Sequence, residues 1–423
     1  MKKSNISILG KAVLWLLIWA VAGYLLLVAA YSLPVDKMRS HLESTTETFR
    51  NGNVDLIKDD VATSLDYLTE PLILAEAVYN GSESAFVKAA AIYSADASAN
   101  GEETWSYRKI TNALAPDNEA TRVPYSRYWQ GELAILKPLL LFFDYKDILR
   151  LNLLVQLLLM FAMVQLAAQK QLKLLLPLVL LFGALTPATT AMCLQYTPCF
   201  LVMGAGCVFL LRRTDAVQRA PWLFFLSLGM ATSYFDFLTY PLVTLCVPLV
   251  FWLLLTPADW KAQLWKIIKE SFWWGVGYIG FWAEKWLLGS LVLRENVFAN
   301  AWTSIQLRSS HETVGEHITY LATLKNNLQA YSLRTWQVLG LVLVVGALVL
   351  AVRRRTLTRS RLLAVLPLAV IACMPFVWYF FTQNHSYIHY GFTHKELAIT
   401  IFAGACVLCG LCRKEDTPPA AHL

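Results

Sequence analysis

Long apolar runs recur along nearly the whole chain, and polar segments separate them. A helix needs roughly 20 consecutive apolar residues to cross a bilayer core about 30 Å thick. The runs that approach this length are 14–30, 148–167, 172–190, 192–211, 221–235, 237–255, 272–293, 336–352, 362–381 and 397–411. The pattern therefore predicts an all-α integral membrane protein with about ten transmembrane helices.

One long polar segment, residues 34–146, separates the first span from the second. It carries mixed charges, short helical patterns and turn signals such as Asn51-Gly52. Within it, the apolar run 133–143 is interrupted by Lys137-Pro138 and is too short to cross a bilayer, so we expect an interfacial or re-entrant helix. The predicted organisation is an anchor (1–33), a helical extracytoplasmic loop (34–146), a multi-spanning region (147–412) and a cytoplasmic tail (413–423).

Composition agrees with the membrane class, because 57% of the 423 residues are hydrophobic and only 15% are charged. A soluble domain carries about a quarter charged residues. The net charge of +7 indicates basic cytoplasmic flanks, since no basic patch interleaved with aromatic residues suggests nucleic-acid binding. All eight cysteines lie in or beside apolar segments, so the long loop has no disulfide framework.

The positions of lysine and arginine predict the orientation. If the N-terminus is inside, every basic cluster between spans falls on the cytoplasmic side, and the short outer turns 187–190 and 233–239 carry none. The cytoplasmic basic residues are Lys170, Lys173, Arg212, Arg213, Arg219, Lys261, Lys266, Lys269, Arg353, Arg354, Arg355, Arg359, Arg361, Arg413 and Lys414. Both termini are therefore predicted to be cytoplasmic.

Ionisable residues near membrane depth on the outer side are the first candidates for chemistry, because such groups are costly to keep there. Asp66 and Glu70 stand four apart and share one face of a helix, and Pro71 favours a new helix start beside Glu70. Two neighbouring carboxylates suit acid–base catalysis. The alternative is a solvated face followed by a helix start. Asp36 directly follows the first span.

Lys285 lies inside the seventh apolar run, next to Glu284. The ammonium group of this lysine needs a partner, which an anionic phosphate or a structural ion pair would supply. Alternatively, the side chain extends outward to the membrane surface. Three preceding glycines spell G-x-G-x-x-G at positions 275, 277 and 280, but they follow no strand, so a dinucleotide site is rejected. Small residues for close helix packing explain them better.

Two further outer segments carry candidates. Asp236 has no adjacent cation and is open to three interpretations: a metal ligand, a group that orients an acceptor hydroxyl, or a helix cap. His385 and His389 share a helical face near Lys395, and we expect these three side chains to face a lipid phosphate. Zinc is disfavoured because the His-x-x-x-His spacing lacks the glutamate of a zinc protease helix. A polar interface turn is the alternative.

At the stretches 66–70, 125–131, 234–240 and 384–389, the chain resembles the GT-C superfamily of membrane glycosyltransferases. More closely, it is similar to uncharacterised multi-spanning membrane proteins of Gram-positive bacteria with that layout. The resemblance covers most of the chain: a retained first helix, a long outer loop with an acidic residue near interfacial helices, then many spans. One departure is that the acidic pair stands well beyond the first helix, whereas Asp36 stands directly after it.

The resemblance implies a glycosyltransferase of the bacterial plasma membrane that moves a sugar from a polyprenyl-phosphate donor to an extracytoplasmic acceptor, either a glycolipid or a cell-wall polymer. In that superfamily an acidic residue of the first outer loop is the base, here Glu70 first, then Asp66 and Asp36. Basic residues hold the donor phosphate, here Lys285, His385, His389 and Lys395, and Asp236 is left for acceptor or metal. No nucleotide site is required, and a divalent cation is compatible but not required.

A transporter or flippase for lipid-linked sugars is the alternative function, because it would also use charges inside the membrane. Such proteins often show two matched halves with broken helices, and the sequence shows no such symmetry. A membrane acyltransferase is a third option without a clear sequence signature.

Overall fold

The computed structural model describes residues 7–95, 104–115, 122–313, 315–331, 334–354 and 356–412. The predicted tail, 413–423, lies outside these ranges. The helices within them are α1 (Ile8–Tyr31), α2 (Asp36–Glu43), α3 (Glu70–Ala77), α4 (Ala85–Ala91), α5 (Trp105–Leu114), α6 (Leu133–Leu140), α7 (Tyr145–Gln169), α8 (Leu175–Leu185), α9 (Pro187–Met192), α10 (Thr197–Arg212), α11 (Thr214–Arg219), α12 (Pro221–Phe235), α13 (Val243–Leu255), α14 (Trp260–Leu293), α15 (Val297–Arg308), α16 (Tyr320–Ala330), α17 (Arg334–Arg353), α18 (Arg359–Phe381), α19 (Gln383–Ile388), α20 (Tyr390–Thr393) and α21 (Leu397–Cys412).

Strands are confined to three small two-stranded antiparallel sheets in the part of the chain that the structure describes. These pair β1 (Val54–Asp55) with β2 (Ser64–Leu65), β3 (Tyr93–Ala95) with β4 (Arg122–Pro124), and β5 (Glu312–Thr313) with β6 (Glu316–His317). The prediction of an all-α protein is therefore confirmed.

Every predicted apolar run contains a helix, namely α1, α7, α8, α10, α12, α13, α14, α17, α18 and α21. Over the described ranges, five helical segments are long and apolar enough to cross a membrane: Ile8–Tyr31, Tyr145–Gln169, Leu194–Arg212, Arg359–Phe381 and Tyr390–Cys412. Three shorter apolar helices are Leu175–Leu185, Val243–Leu255 and Leu343–Arg353. This architecture fits a membrane protein, and the count of ten spans stays a prediction.

The surface of the bundle is apolar where a bilayer would cover it. On α7, Leu154, Leu158 and Phe161 are exposed, and Phe161 is 66% exposed. Contiguous apolar surface of this kind is rare on soluble monomers and marks contact with a membrane or a partner. The exposed side chains of α7 therefore agree with lipid contact.

The polar segment between α1 and α7 folds over one end of the bundle, where α4 packs against both α1 and α14. We call this the loop end, and the opposite end, where the lysine- and arginine-rich turns lie, the basic end. The predicted interfacial run is a short helix, α6, with Pro138 inside it. Tyr24 of α1 donates a hydrogen bond to the carbonyl of Phe86 at 2.7 Å, which joins the segment to the first helix.

Helices α12 and α14 approach each other closely through glycines. A Cβ atom built on Gly277 would lie 2.1 Å from the backbone oxygen of Leu226, and one on Gly229 would lie 2.0 Å from that of Trp274. No other amino acid could occupy position 277 unless one of the two helices moved. The predicted packing role of the three α14 glycines is thus confirmed for Gly277 and for Gly280, whose built Cβ lies 3.3 Å from the side chain of Leu16 in α1, but not for Gly275, whose built Cβ has no described atom within 4 Å.

Several helices break near the loop end. Helix α8 has 11 residues and α13 has 13, which correspond to roughly 17 and 20 Å of rise and fall short of a bilayer core of about 30 Å. Thr186, at φ 54°, separates α8 from α9, and a turn at residues 236–242 separates α12 from α13. The backbone groups released at such breaks need hydrogen-bond partners when water is excluded.

Candidate functional site

Glu70 lies at the break between α9 and α10 and is fully buried. Its Oε1 accepts hydrogen bonds from the Tyr145 hydroxyl and the Leu194 N–H, both at 2.7 Å. Its Oε2 accepts from the Gln195 N–H at 3.1 Å and the Cys193 thiol at 3.3 Å. A carboxylate offers about four acceptor positions, so all of them are used. Burial raises the pKa of Glu70, and the backbone N–H of Leu194 opposes that rise.

Asp66 and Asp236 each close a tight turn. Asp66 Oδ1 accepts from the N–H groups of Leu68 and Thr69, both at 3.1 Å. Asp236 accepts from the N–H of Leu238 at 2.9 Å and from the hydroxyl of Thr239. Burial raises the pKa of Asp236 to about 6. These contacts close the turn between α12 and α13 and do not cap α13, which begins at Val243 without a side-chain cap, so the three interpretations of Asp236 stay predictions.

The three acidic candidates of the first loop are therefore in different surroundings. Asp66 and Glu70 both contact Gln195, through its side chain and its backbone N–H respectively. Asp36 is exposed in the first turn of α2. The structure brings Asp66 and Glu70 together at one helix break and leaves Asp36 at the surface.

Lys285 and Lys395 bind the carboxyl ends of helices. Lys285 Nζ donates to the carbonyls of Ala89 and Ala90 in the last turn of α4, at 3.1 and 2.9 Å. Lys395 Nζ donates to the carbonyl of Leu185, the last residue of α8, at 3.4 Å, and to the Thr189 hydroxyl at 3.0 Å. The partial negative charge at a helix C-terminus favours a cation there.

Aromatic rings complete these lysine sites. Lys285 Nζ lies 5.5 Å from the ring centre of Trp129, and Lys395 Nζ lies 5.1 Å from that of Tyr196. Lys137 repeats the arrangement, with its Nζ on the carbonyl of Ala77 at the end of α3 and 4.7 Å from the ring of Tyr31. Such cation–π contacts stabilise a desolvated ammonium group. The carboxylate of Glu284 makes no ion pair with Lys285 within the described ranges.

The histidines at 385 and 389 are neutral in these surroundings. His385 Nε2 lies 2.7 Å from the carbonyl of Leu238, so this nitrogen donates. His389 Nε2 lies 2.9 Å from the guanidinium of Arg308, which can only donate, so this nitrogen accepts. Burial, aided by the charge of Arg308, lowers the pKa of His389 to about 4. Among the described residues, no group of three or more His, Cys, Asp or Glu side chains is placed to hold a metal ion.

The structure has a large apolar cavity, which none of the site residues predicted from the sequence lines. Its volume is about 1010 Å³, and helices α1, α6, α7, α10, α11 and α12 form its walls. The side chains of Ile135, Val155 and Phe209 line it and are also 53%, 45% and 50% exposed at the surface of the bundle. The cavity therefore opens sideways, towards the surface that lipid would cover.

Glu132 lines this cavity and directly precedes α6. Both of its carboxylate oxygens are buried, and neither has a hydrogen-bond partner in the described part of the chain. Burial raises the pKa of Glu132 well above its usual range, the backbone N–H of Glu132 itself opposes this rise, and the nearby carboxylates of Glu76, Asp236 and Glu70 raise the pKa further. Unlike Glu70, this carboxyl group has free lone pairs beside a space that can hold a ligand.

Two arginines, Arg127 and Arg308, act on Tyr125, which lies in the segment that precedes Glu132. The Arg127 guanidinium is 4.3 Å from the ring centre of Tyr125 and 5.5 Å from that of Tyr128, and its buried Nε has no partner among the described residues. Burial raises the pKa of Tyr125, whereas the positive charges of Arg127 and Arg308 lower it. Both guanidinium groups therefore act on this ring, and arginine suits phosphate recognition.

Glu76 links the arginine to Glu132. Its carboxylate is fully buried, without a hydrogen-bond partner in the described ranges. Burial raises its pKa well above the usual value, and the charges of Lys109, Arg127 and Lys285 oppose this. Since Glu76 interacts electrostatically with both Arg127 and Glu132, the three groups belong to one polar cluster at the loop end.

Sequence reasoning did not single out Glu132, Arg127 or Arg308. The signal for Glu132 was present, because it is the one acidic residue between the aromatic stretch 125–129 and the half-length apolar run 133–143. Arg308 gave no such signal, because its approach to Tyr125 depends on the path of α15.

Comparisons with protein-family models, with curated proteins and with solved structures find no match for this chain.

Proposed function

We propose that this protein is a glycosyltransferase of the GT-C type, which moves a sugar from a polyprenyl-phosphate donor to an acceptor hydroxyl. The supporting observation is Glu132, whose free carboxyl group lies at the loop end of an apolar cavity of about 1010 Å³ that opens sideways. A polyprenyl chain requires apolar space that is reached from the bilayer. A general base requires a lone pair that no other group occupies.

The proposal includes ten spans, with the basic end in the cytoplasm and the loop end outside. This orientation follows the excess of lysine and arginine on cytoplasmic turns. It places Glu132 on the outer side, so the acceptor is an extracytoplasmic glycolipid or cell-wall polymer. The chain then resides in the bacterial plasma membrane with both termini inside.

In the proposed reaction, the acceptor hydroxyl oxygen forms a bond to the anomeric carbon of the donor sugar. The bond from that carbon to the phosphate oxygen breaks, and its electron pair leaves with polyprenyl phosphate. Glu132 takes the acceptor proton. A carboxyl group whose pKa is raised by burial is a stronger base, once ionised, than an exposed one.

Arg127 and Arg308 are the groups we propose for the departing phosphate, because arginine binds phosphate through several N–H donors at once. The earlier assignment of Lys285, His385, His389 and Lys395 to this role stays a prediction, as do Glu70, Asp66 and Asp36 as bases and Asp236 for acceptor or metal. Contacts favour Arg127, whose buried Nε has no partner among the described residues, because both lysines already donate to helix carbonyls.

The test uses purified protein in nanodiscs with a radiolabelled polyprenyl-phosphate hexose, supplied in turn as the glucose, mannose and galactose form. Membrane lipids and cell-wall polymer serve as acceptors. Glu132→Gln should reduce transfer by about 100-fold or more, the range of general-base catalysis. Glu270→Gln is the matched control: Glu270 is also buried, with an unpartnered Oε2 among the described residues, but it lies away from the cavity. Full transfer by Glu132→Gln would remove Glu132 from the role.

A flippase for lipid-linked sugars is the second candidate, and the broken helices at α8–α9 and α12–α13 favour it, because transporters often bind substrate at such breaks. Proteoliposomes with a fluorescent polyprenyl-phosphate sugar distinguish the two functions. Movement of the label to the other leaflet without any new glycosidic bond would support the flippase and contradict the transferase.

A further inference from the structure

A second, smaller cavity lies at the basic end of the bundle and plays no part in the proposed transfer. Its volume is about 420 Å³, and it lies between the turn that joins α13 to α14 and the first half of α18. Most of its lining residues are apolar, among them Leu254, Ala364 and Leu368, and its polar lining residues include Asp259, Gln263 and Ser360.

Gln263 is a polar residue in the lining of this cavity. Its Nε2 donates to the carbonyls of Leu253 and Thr256, both at 3.2 Å, which fixes the orientation of the amide. Its Oε1 is buried and has no hydrogen-bond partner among the described residues, and the whole side chain is 8% exposed. A buried amide oxygen without a donor is unusual in folded proteins, so this atom is available to a ligand that donates.

Two exposed basic residues stand next to lining residues of this cavity in the sequence. Lys261 follows the lining residue Trp260, lies with its Nζ 5.5 Å from that ring centre, and is exposed. Arg359 precedes the lining residue Ser360 and is also exposed. Asp259 is the acidic lining residue, but its carboxylate accepts the N–H groups of Lys261 and Ala262 and caps α14. Basic pockets between membrane helices at the cytoplasmic face suit anionic headgroups.

We propose that this cavity binds one anionic phospholipid whose headgroup carries a hydroxyl group, as in phosphatidylglycerol. The headgroup hydroxyl donates to Gln263 Oε1, the phosphate lies between Lys261 and Arg359, and an acyl chain follows the apolar wall formed by Leu254 and Leu368. The inference is independent of the proposed transfer reaction, because no residue of the Glu132 cavity takes part in it.

Native mass spectrometry of the full-length protein in nanodiscs tests the proposal. The two probe lipids are phosphatidylglycerol and phosphatidylmethanol, which carry the same charge but differ in the headgroup hydroxyl, and phosphatidylcholine is the host lipid. The wild-type protein should retain one phosphatidylglycerol about tenfold more than phosphatidylmethanol, the factor that one hydrogen bond to a buried acceptor corresponds to. Equal retention of the two anionic lipids, or equal retention of phosphatidylcholine, would overturn it.

Two variants check the location. Lys261→Ala with Arg359→Ala should reduce retention of phosphatidylglycerol several-fold, whereas the control Arg212→Ala with Arg213→Ala, which removes two exposed arginines at the end of α10, should leave it unchanged. Ala364→Trp should fill the cavity and abolish retention in protein that elutes as a single species. If Ala364→Trp does not fold, the charge variants decide, and equal retention by both double variants would contradict the site.

Discussion

At the scale of single residues, charged side chains inside this bundle have two kinds of surroundings. Glu70, Asp236 and Glu396 accept backbone N–H groups where helices break, while both oxygens of Glu132 are without a partner in the described ranges. The sequence identifies Glu70 and Asp236 as costly near a membrane but does not single out Glu132 or Glu396, and it does not show which carboxylates accept backbone N–H groups. Glu70 and Leu194 are 124 positions apart, so their contact follows only from the fold.

The ionisation of Glu132 should change stability with pH. Because burial raises its pKa, the folded protein holds the proton more tightly than the unfolded chain does. The stabilising contribution is therefore complete below the ordinary pKa of 4.5 and is lost as pH rises through the raised value. We expect the melting temperature of wild type to fall relative to that of Glu132→Gln from acidic to alkaline pH, measured by intrinsic fluorescence in detergent. A constant difference across this range would contradict a buried, free Glu132.

Substitution of Lys285 distinguishes a structural role of this lysine from a role in donor binding. Lys285→Met would leave the carbonyls of Ala89 and Ala90 without their donor in a dry site, which costs about 1–3 kcal/mol. We expect a lower melting temperature in detergent, while the exposed Lys261→Met serves as the control and should melt like wild type. An unchanged melting temperature together with weakened donor use would instead support the prediction that Lys285 binds phosphate.

At the scale of helices, hydropathy located every apolar helix but missed the breaks. The run 237–255 reads as one span, yet α13 begins only at Val243, because the preceding turn around Asp236 is itself rich in apolar residues. Pro248 lies inside α13, whereas Pro241 lies in the turn that precedes this helix. The sequence alone does not show which of the two prolines interrupts a helix. Hydropathy measures transfer into lipid and contains no information on where backbone hydrogen bonds are interrupted.

The contact of α12 with α14 depends on Gly277. In Gly277→Ala the added Cβ would lie 2.1 Å from the Leu226 oxygen, so the helices must separate, and overpacking of this kind costs about 1–3 kcal/mol. We expect a lower melting temperature in detergent than for Gly275→Ala, whose added Cβ meets no described atom within 4 Å. Equal melting temperatures for the two variants would contradict the close approach of these helices.

At the scale of the whole molecule, the sequence predicted two segments next to the candidate site but not the cavity between the helices. The aromatic stretch 125–129 and the short helix α6 were both expected near the membrane surface. The cavity was not, because its walls come from six helices, and Trp15 and Phe224, which both line it, are far apart in sequence. Periodicity shows which residues avoid water. It does not show where packing leaves space.

The orientation of the whole bundle follows from the predicted ten spans and is testable by cysteine labelling. Ser82 and Asn300 are exposed at the loop end, and Gln218 and Lys261 are exposed at the basic end. Each is replaced singly by cysteine, and a membrane-impermeant maleimide is added to intact cells or to broken membranes. The unmodified chain gives the background from its eight cysteines, most of which are buried.

Because basic turns stay in the cytoplasm, we expect Ser82→Cys and Asn300→Cys to react in intact cells, and Gln218→Cys and Lys261→Cys to react only after the membrane is opened. An odd number of spans between Ser82 and Asn300 would place them on opposite sides, and only one of the two would then react in intact cells. The reverse pattern for all four would place Glu132 on the cytoplasmic side. A donor sugar and its acceptor would then have to meet inside the cell, and the extracytoplasmic glycosyltransferase would no longer explain the cavity.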